Sequence, residues 1–156
     1  AAKNPRVVRA RVATLLELGK LSEAEAVWKT WPQPHEGYEY WKWSAIVHED
    51  VQANYDQAIV AYENALAVWP GPADWRTRNR KANCLSRAGK IEAARAERVS
   101  ASRIEKLMSD EVHNRILKAM DRFPAIESLQ LMVEFYDELG LAREAKCWQQ
   151  EIKRRE

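Results

Sequence analysis

The chain is poor in everything that interrupts a helix. Glycine occurs five times in 156 residues, and five of the six prolines fall at 32, 34, 70, 72 and 124, leaving long stretches without a breaker. No stretch alternates apolar and polar residues with β-branched enrichment, so no strands are expected. The two cysteines, Cys84 and Cys147, stand far apart without CxxC or CxxCH spacing. That excludes a zinc knuckle, a thiol redox pair and covalent haem, and both are expected as small buried apolar residues. No apolar run approaches the roughly 18 residues needed to span a membrane, and the opening AAKNPRVVRA lacks the apolar core of a signal peptide. No membrane partner is expected. An initiating Met is also missing, so a processed product or an excised piece of a longer chain is expected, with the cytoplasm slightly favoured as compartment.

Charge of one sign is lacking too. With 25 basic and 23 acidic residues the net charge is +2, which supplies no bulk attraction to nucleic acid. His35, His48 and His113 lie in separate elements, and there is no HExxH, no glycine-rich phosphate loop and no Ser/His/Asp arrangement legible from spacing. The expectation is therefore no catalytic residue, no metal site, no cofactor and no enzyme.

What is abundant is helix-forming composition, with 46% hydrophobic residues, enough for one domain with a core. Charge is segregated along the chain. Residues 76–106 hold ten Lys or Arg against three Glu, a local +7, whereas residues 36–63 hold six acids against Lys42, a local −5. A phrase recurs: LGKLSEAEAVW at 18–28, ANYDQAIVAY at 53–62, AGKIEAARAE at 88–97 and LGLAREAKCW at 139–148. Each reads as a helix end, a tight turn and a new helix with an early alanine. Those alanines, Ala24, Ala58, Ala94 and Ala145, are 34, 36 and 51 residues apart. A period near 34 marks stacked helical hairpins, and the last interval is one repeat plus a half.

These residues resemble the tetratricopeptide repeat family over nearly the whole chain. In YWKWSAIVHEDVQANYDQAIVAYENALAVWP, Trp41 and Ala45 look like the first-helix aromatic and small residue, and Ala58, Tyr62, Ala65 and Pro70 like the second helix and its closing proline. One extra residue separates Ala45 from Ala58. The third copy matches at Ala82, Leu85, Gly89, Ala94 and Ala101, with Arg98 in place of the second-helix aromatic. The first matches at Leu15, Gly19, Ala24 and Trp28 and ends early at Pro32; the fourth matches at Tyr136, Gly140 and Ala145. The resemblance implies an all-α superhelix of helical hairpins, with repeats at about 5–34, 37–72, 73–107 and 125–154.

About nine helices are expected, at 5–18, 21–31, 37–51, 54–69, 73–88, 91–107, 110–122, 125–139 and 141–154. Ser109 or Asp110 would cap the seventh, which has no repeat partner. A continuous i, i+4 stripe from Ile104 to Met120 leaves one long bent helix as the alternative; the break is preferred.

Residues 28–43, WKTWPQPHEGYEYWKW, carry four of the seven tryptophans. Trp28, Trp41, Trp69, Trp75 and Trp148 are expected in packing. Trp43 falls on another face of its helix than Trp41, since two residues advance a helix by about 200°. Trp31 sits at a shortened helix end, and these two are kept as candidates for binding.

The resemblance also implies peptide recognition in a concave groove lined by first helices. On this chain that face comprises Arg6, Arg9 and Ala13; Glu39, Lys42, Trp43 and Ile46; Arg76, Asn79, Arg80 and Asn83; and Glu127, Gln130 and Glu134. Arg76, Arg80 and Asn83, at i, i+4 and i+7, put two guanidinium forks and an amide on one stripe, which suits a carboxylate or phosphate. The candidate site is therefore Arg9, Lys42, Trp43, Arg76, Asn79, Arg80 and Asn83, and the partner a protein or peptide offering acidic or C-terminal carboxylate groups. Ala13 and Trp43 stand where the family's carboxylate clamp has asparagines. The expected function is a non-catalytic scaffold in complex assembly. Two other readings are RNA binding through the basic 76–106 stretch and an accessory domain of a larger enzyme. LQLMVEFYDELGLA, near the C-terminus, presents enough apolar surface to suggest a partner or homo-oligomer through the terminal helices.

Overall fold

The computed structural model describes residues 4–156, and among them the regular structure is helical, with no strand. The α-helices are α1 (Pro5–Glu17), α2 (Leu21–Trp28), α3 (Gly37–Asp50), α4 (Tyr55–Ala67), α5 (Trp75–Arg87), α6 (Ile91–Leu107), α7 (Asp110–Met120), α8 (Ile126–Glu138) and α9 (Ala142–Lys153), with a 3-10 turn at Gly71–Ala73. The nine match the expected number and order, each within a few residues of its expected limits.

Most of the pairing is local. α1 packs on α2, α3 on α4, α5 on α6 and α8 on α9, and α4 also packs on α5. The turn chemistry explains the hairpins. At the end of α1, Gly19 has φ +70° and donates to the Leu16 carbonyl at 3.0 Å, while Lys20 donates to Leu15 at 2.8 Å. This paired closure satisfies the last carbonyls of the helix, and its left-handed residue is one that only glycine adopts without a side-chain penalty. The α5–α6 turn repeats the bonds, Gly89 to Ser86 and Lys90 to Leu85, as does the α8–α9 turn, Gly140 to Asp137 and Leu141 to Tyr136. The α3–α4 turn holds the extra residue noted in the sequence. There Ala53 takes φ +49°, the closing bond runs from Asn54 to His48 at 2.8 Å, and Asn54 caps α4 by accepting from Gln57 N–H. A cap of this kind stabilises a helix by about 1 kcal/mol.

The four repeat alanines Ala24, Ala58, Ala94 and Ala145 are all at most 1% exposed. Small side chains there let paired helices approach closely, and large neighbours fill the holes. Ala45, Ala58 and Ala94 pack with Ile46, Ile59, Tyr62, Cys84 and Leu85 in one cluster that joins α3 to α6. A second cluster, Val8, Val12, Trp31 and Val47, joins α1 to α3, and a third, Ile104, Leu107 and Leu139, joins α6 to α8.

α6 and α7 are separate helices, broken at Met108–Ser109, where Ser109 accepts from Val112 N–H at 3.5 Å. No residue of α7 is buried, although it packs on α8 and its Ala119 carbonyl accepts a 2.7 Å bond from Ser128.

Five expectations are corrected. α2 ends at Trp28 and α4 at Ala67, short of 31 and 69; Pro32 and Pro70 disfavour the helical region at Trp31 and Trp69 themselves, and α4 stops a residue earlier still because Val68 is extended. Trp69, expected in the apolar interior, is 62% exposed, since Val68 is extended (φ −114°, ψ 135°) and turns the chain outward. Trp31 is buried, at 7% exposure. Cys84 is buried as expected, but Cys147 is exposed. The apolar side chains left in water near the C-terminus also lie earlier than expected, at Leu117, Met120, Phe123 and Ile126, while Leu129, Met132 and Leu139 are buried.

Candidate binding surfaces

α5 carries four of the seven candidate residues, and its start is fixed by Asp74. This carboxylate caps the helix by accepting from Thr77 N–H at 3.1 Å, and it accepts further from Thr77 Oγ1 at 2.6 Å, Lys42 Nζ at 2.8 Å and the Tyr38 hydroxyl. Burial alone would raise the Asp74 carboxyl, but the bonds from Lys42, Thr77 and Tyr38 outweigh it and hold the group below the ordinary aspartate range. Lys42 also donates to the Tyr38 hydroxyl at 2.9 Å. Burial disfavours its charge, yet Asp74 and Tyr38 shift its pKa upward. Lys42 is thus a tie between α3 and α5.

Arg80 is engaged in the same way. Its Nε donates to Glu49 Oε2 at 2.9 Å, and Nη2 reaches both Asp50 carboxylate oxygens at 2.8 Å. Glu49 Oε2 also accepts from the buried Tyr62 hydroxyl at 2.6 Å. Burial pushes the Tyr62 hydroxyl up against the opposing pull of Arg80, and burial followed by the Glu49 charge pushes the nearby Cys84 thiol up to about 12. Trp43 is half-buried and packs against both the first and the second core cluster.

The remaining candidates reach solvent. Arg76 is exposed, lying over the Trp75 ring at 4.4 Å. Asn79 is half-buried, Asn83 is exposed and accepts from Arg98 at 3.4 Å, and Arg9 makes an exposed 3.4 Å bridge to Glu39. Of the seven, the structure brings Arg76, Asn79, Arg80 and Asn83 together on α5, and it leaves Arg9 on α1 with its nearest link to α3. Much of the basic 76–106 stretch is paired as well: Arg78 and Lys81 with Glu97, Lys81 with Glu63, Lys90 with Asp56, and Arg87 with the Tyr55 hydroxyl. No group of three or more potential metal-ligating side chains gathers among the described residues, and no helix among them is long and apolar enough to cross a membrane.

A second surface lies where the α2–α3 loop meets the end of α4. A cleft of about 560 Å³ there is lined by Trp31, Tyr38, Tyr40 and Trp69, together with Pro32, Pro34, Pro70, Glu36 and Glu39. Its rings are braced. Tyr40 stacks on Trp28 at 5.1 Å and on His35 at 4.8 Å, and His35 Nε2 lies 3.2 Å from the Trp31 carbonyl oxygen. Sequence reasoning singled out Trp31 but missed Trp69. A signal was there: the chain has two Trp-Pro pairs, 31–32 and 69–70, at corresponding second-helix ends.

Neither a protein-family model nor a curated protein nor a solved structure matches the chain.

Proposed function

We propose that the protein is a non-catalytic helical-repeat module, tetratricopeptide-like with its hairpins wound as a superhelix, that binds a protein or peptide segment and serves the assembly of a larger complex. The observation that carries this reading is the set of ties between first helices of successive hairpins. Arg9 of α1 meets Glu39 of α3, while Glu49 and Asp50 of α3 meet Arg80 of α5. Such ties support a row α1, α3, α5 that presents one continuous face. Preorganised faces lose less entropy on binding.

On this face the roles divide. Lys42, Arg80 and Trp43 hold the row together, while Arg76, Asn79, Asn83 and Arg9 meet the partner. Exposed guanidinium and amide groups at that spacing suit acidic side chains or a terminal carboxylate. The test is affinity capture from lysate of the native source, comparing the wild-type chain with an Arg76→Glu, Asn83→Asp variant. A protein retained by the wild type and lost by the variant supports the α5 face, and equal retention overturns it. Arg80 is left intact because its loss would unpair Glu49 and confuse binding with folding.

A further inference from the structure

We propose that the cleft between the α2–α3 loop and the end of α4 binds an extended, proline-containing peptide segment carrying a basic residue. This goes beyond the α5 face and needs only that the protein recognises peptides.

Three features carry it. First, the walls are aromatic and already fixed: Tyr38 by its bonds to Asp74 and Lys42, Tyr40 by its stacks on Trp28 and His35, and Trp31 by burial at 7% exposure. Aromatic rings and prolines lining one open cleft suit the ridges of a polyproline II helix, whose backbone is unpaired and whose ordering cost is low. Second, Trp69 stands at the rim 62% exposed. An indole in that position gains from covering by a proline ring and can lie under a guanidinium. Third, the charged side chains among the described lining residues are acidic. Glu36 is exposed, and the one bridge of Glu39 among the described residues is its long, exposed bridge to Arg9. The basic residue therefore seats at Glu36 rather than Glu39, because Glu39 also lines the adjoining hollow together with Arg6 and Arg9. At about 560 Å³ the open cleft has room for a few residues of chain.

The experiment is calorimetric titration of the whole chain with a capped proline heptapeptide bearing a central arginine, with central-glutamate and all-alanine versions as controls. Saturable binding on the order of 100 μM is expected for the arginine peptide. Trp69→Ala should weaken it at least tenfold, Glu36→Lys should weaken it several-fold, and Arg76→Glu should leave it unchanged. Trp69 is exposed enough for its variant to fold, which circular dichroism checks, and Glu36→Lys gives an independent reading. Absence of saturation into the millimolar range, or equal affinity for the Trp69→Ala protein, overturns the proposal. So does self-association lost in Trp69→Ala without peptide binding, which would assign the cleft to a second copy. Because Arg76→Glu is silent here, and a protein that the lysate capture holds through Arg76 should be retained by Trp69→Ala, failure of either site is distinguishable from failure of the other.

Discussion

Asp74 ties α3 to the start of α5, and its removal has a calculable cost. Asp74→Ala deletes the N-cap of α5, worth about 1 kcal/mol. It also strips the acceptor from Lys42, a charge-assisted bond worth roughly 1.5–3 kcal/mol when solvent is largely excluded, as it is here with side chains 29% and 13% exposed. Members of one network do not add fully, so the expected loss is about 3 kcal/mol. At roughly 2–4 °C per kcal/mol for a chain of this size, the melting temperature should fall by about 10 °C. Asp74→Asn keeps a good capping residue and loses only the charge, so it should cost about half as much. The pH dependence separates the two contributions. The native carboxyl is held below its ordinary value, so its stabilisation is fully present above the unfolded aspartate value near 3.9 and is lost as pH falls through the depressed native one. Urea unfolding from pH 7 down to about pH 2 should show a smaller acid loss for Asp74→Asn than for the wild type. An unchanged acid loss, or an Asp74→Ala protein within about 0.5 kcal/mol of the wild type, would refute the reasoning.

Arg80→Met should cost about 2–4 kcal/mol in the same assay, because it leaves the Glu49 carboxylate, only 10% exposed, without its cation. Arg76→Ala, one helical turn away and exposed, should stay within about 0.5 kcal/mol of the wild type. Gly71→Ala should destabilise by roughly 3 kcal/mol or more, since an added Cβ would collide with the Ala65 carbonyl and come within 2.7 Å of Leu66 Cα, both backbone. Thiol labelling should find Cys147 fast and Cys84 slow until denaturant is added; two equally fast thiols would contradict the burial of Cys84 at the α3–α5 core.

The helical elements were legible because their signals are local. Glycine turns, early alanines and a 34-residue period act within one hairpin, and the structure keeps all four alanines buried. Ends near prolines were less legible. The run through Val68 and Trp69 carries no breaker of its own, but Pro70 disfavours helix at Trp69, and the chain is already extended at Val68. The site was legible only in part, for a different reason. Helical spacing shows that Arg76, Asn79, Arg80 and Asn83 share a stripe, but the partners that consume Arg80 lie 30 and 31 residues earlier. In the sequence, Glu49 and Asp50 read as neighbours of His48, and His48 instead pairs with Gln52.

The segregated charge has a structural meaning that alters how the basic stretch should be weighed. Cations of the +7 segment meet acids of the −5 segment one hairpin away: Arg80 with Glu49 and Asp50, Lys81 with Glu63, and Lys90 with Asp56. Lys42, the lone cation of the acidic segment, meets Asp74 at the start of α5. A uniform mixture of charges on both hairpins would tolerate slippage or the wrong neighbour, whereas opposite local charges penalise like-charged pairings and favour one order of packing. The exposed members of this set contribute little energy singly, so their value lies in discrimination between arrangements. The same pairing withdraws cations from any external ligand. A positive stretch in a helical-hairpin chain is thus a weak indicator of an anionic partner until the acids of the preceding hairpin have been set against it. What survives here is Arg76 on α5 together with Arg98, Arg103 and Lys106 on α6, which are exposed and meet no carboxylate among the described residues, fewer cations than the sequence count suggests.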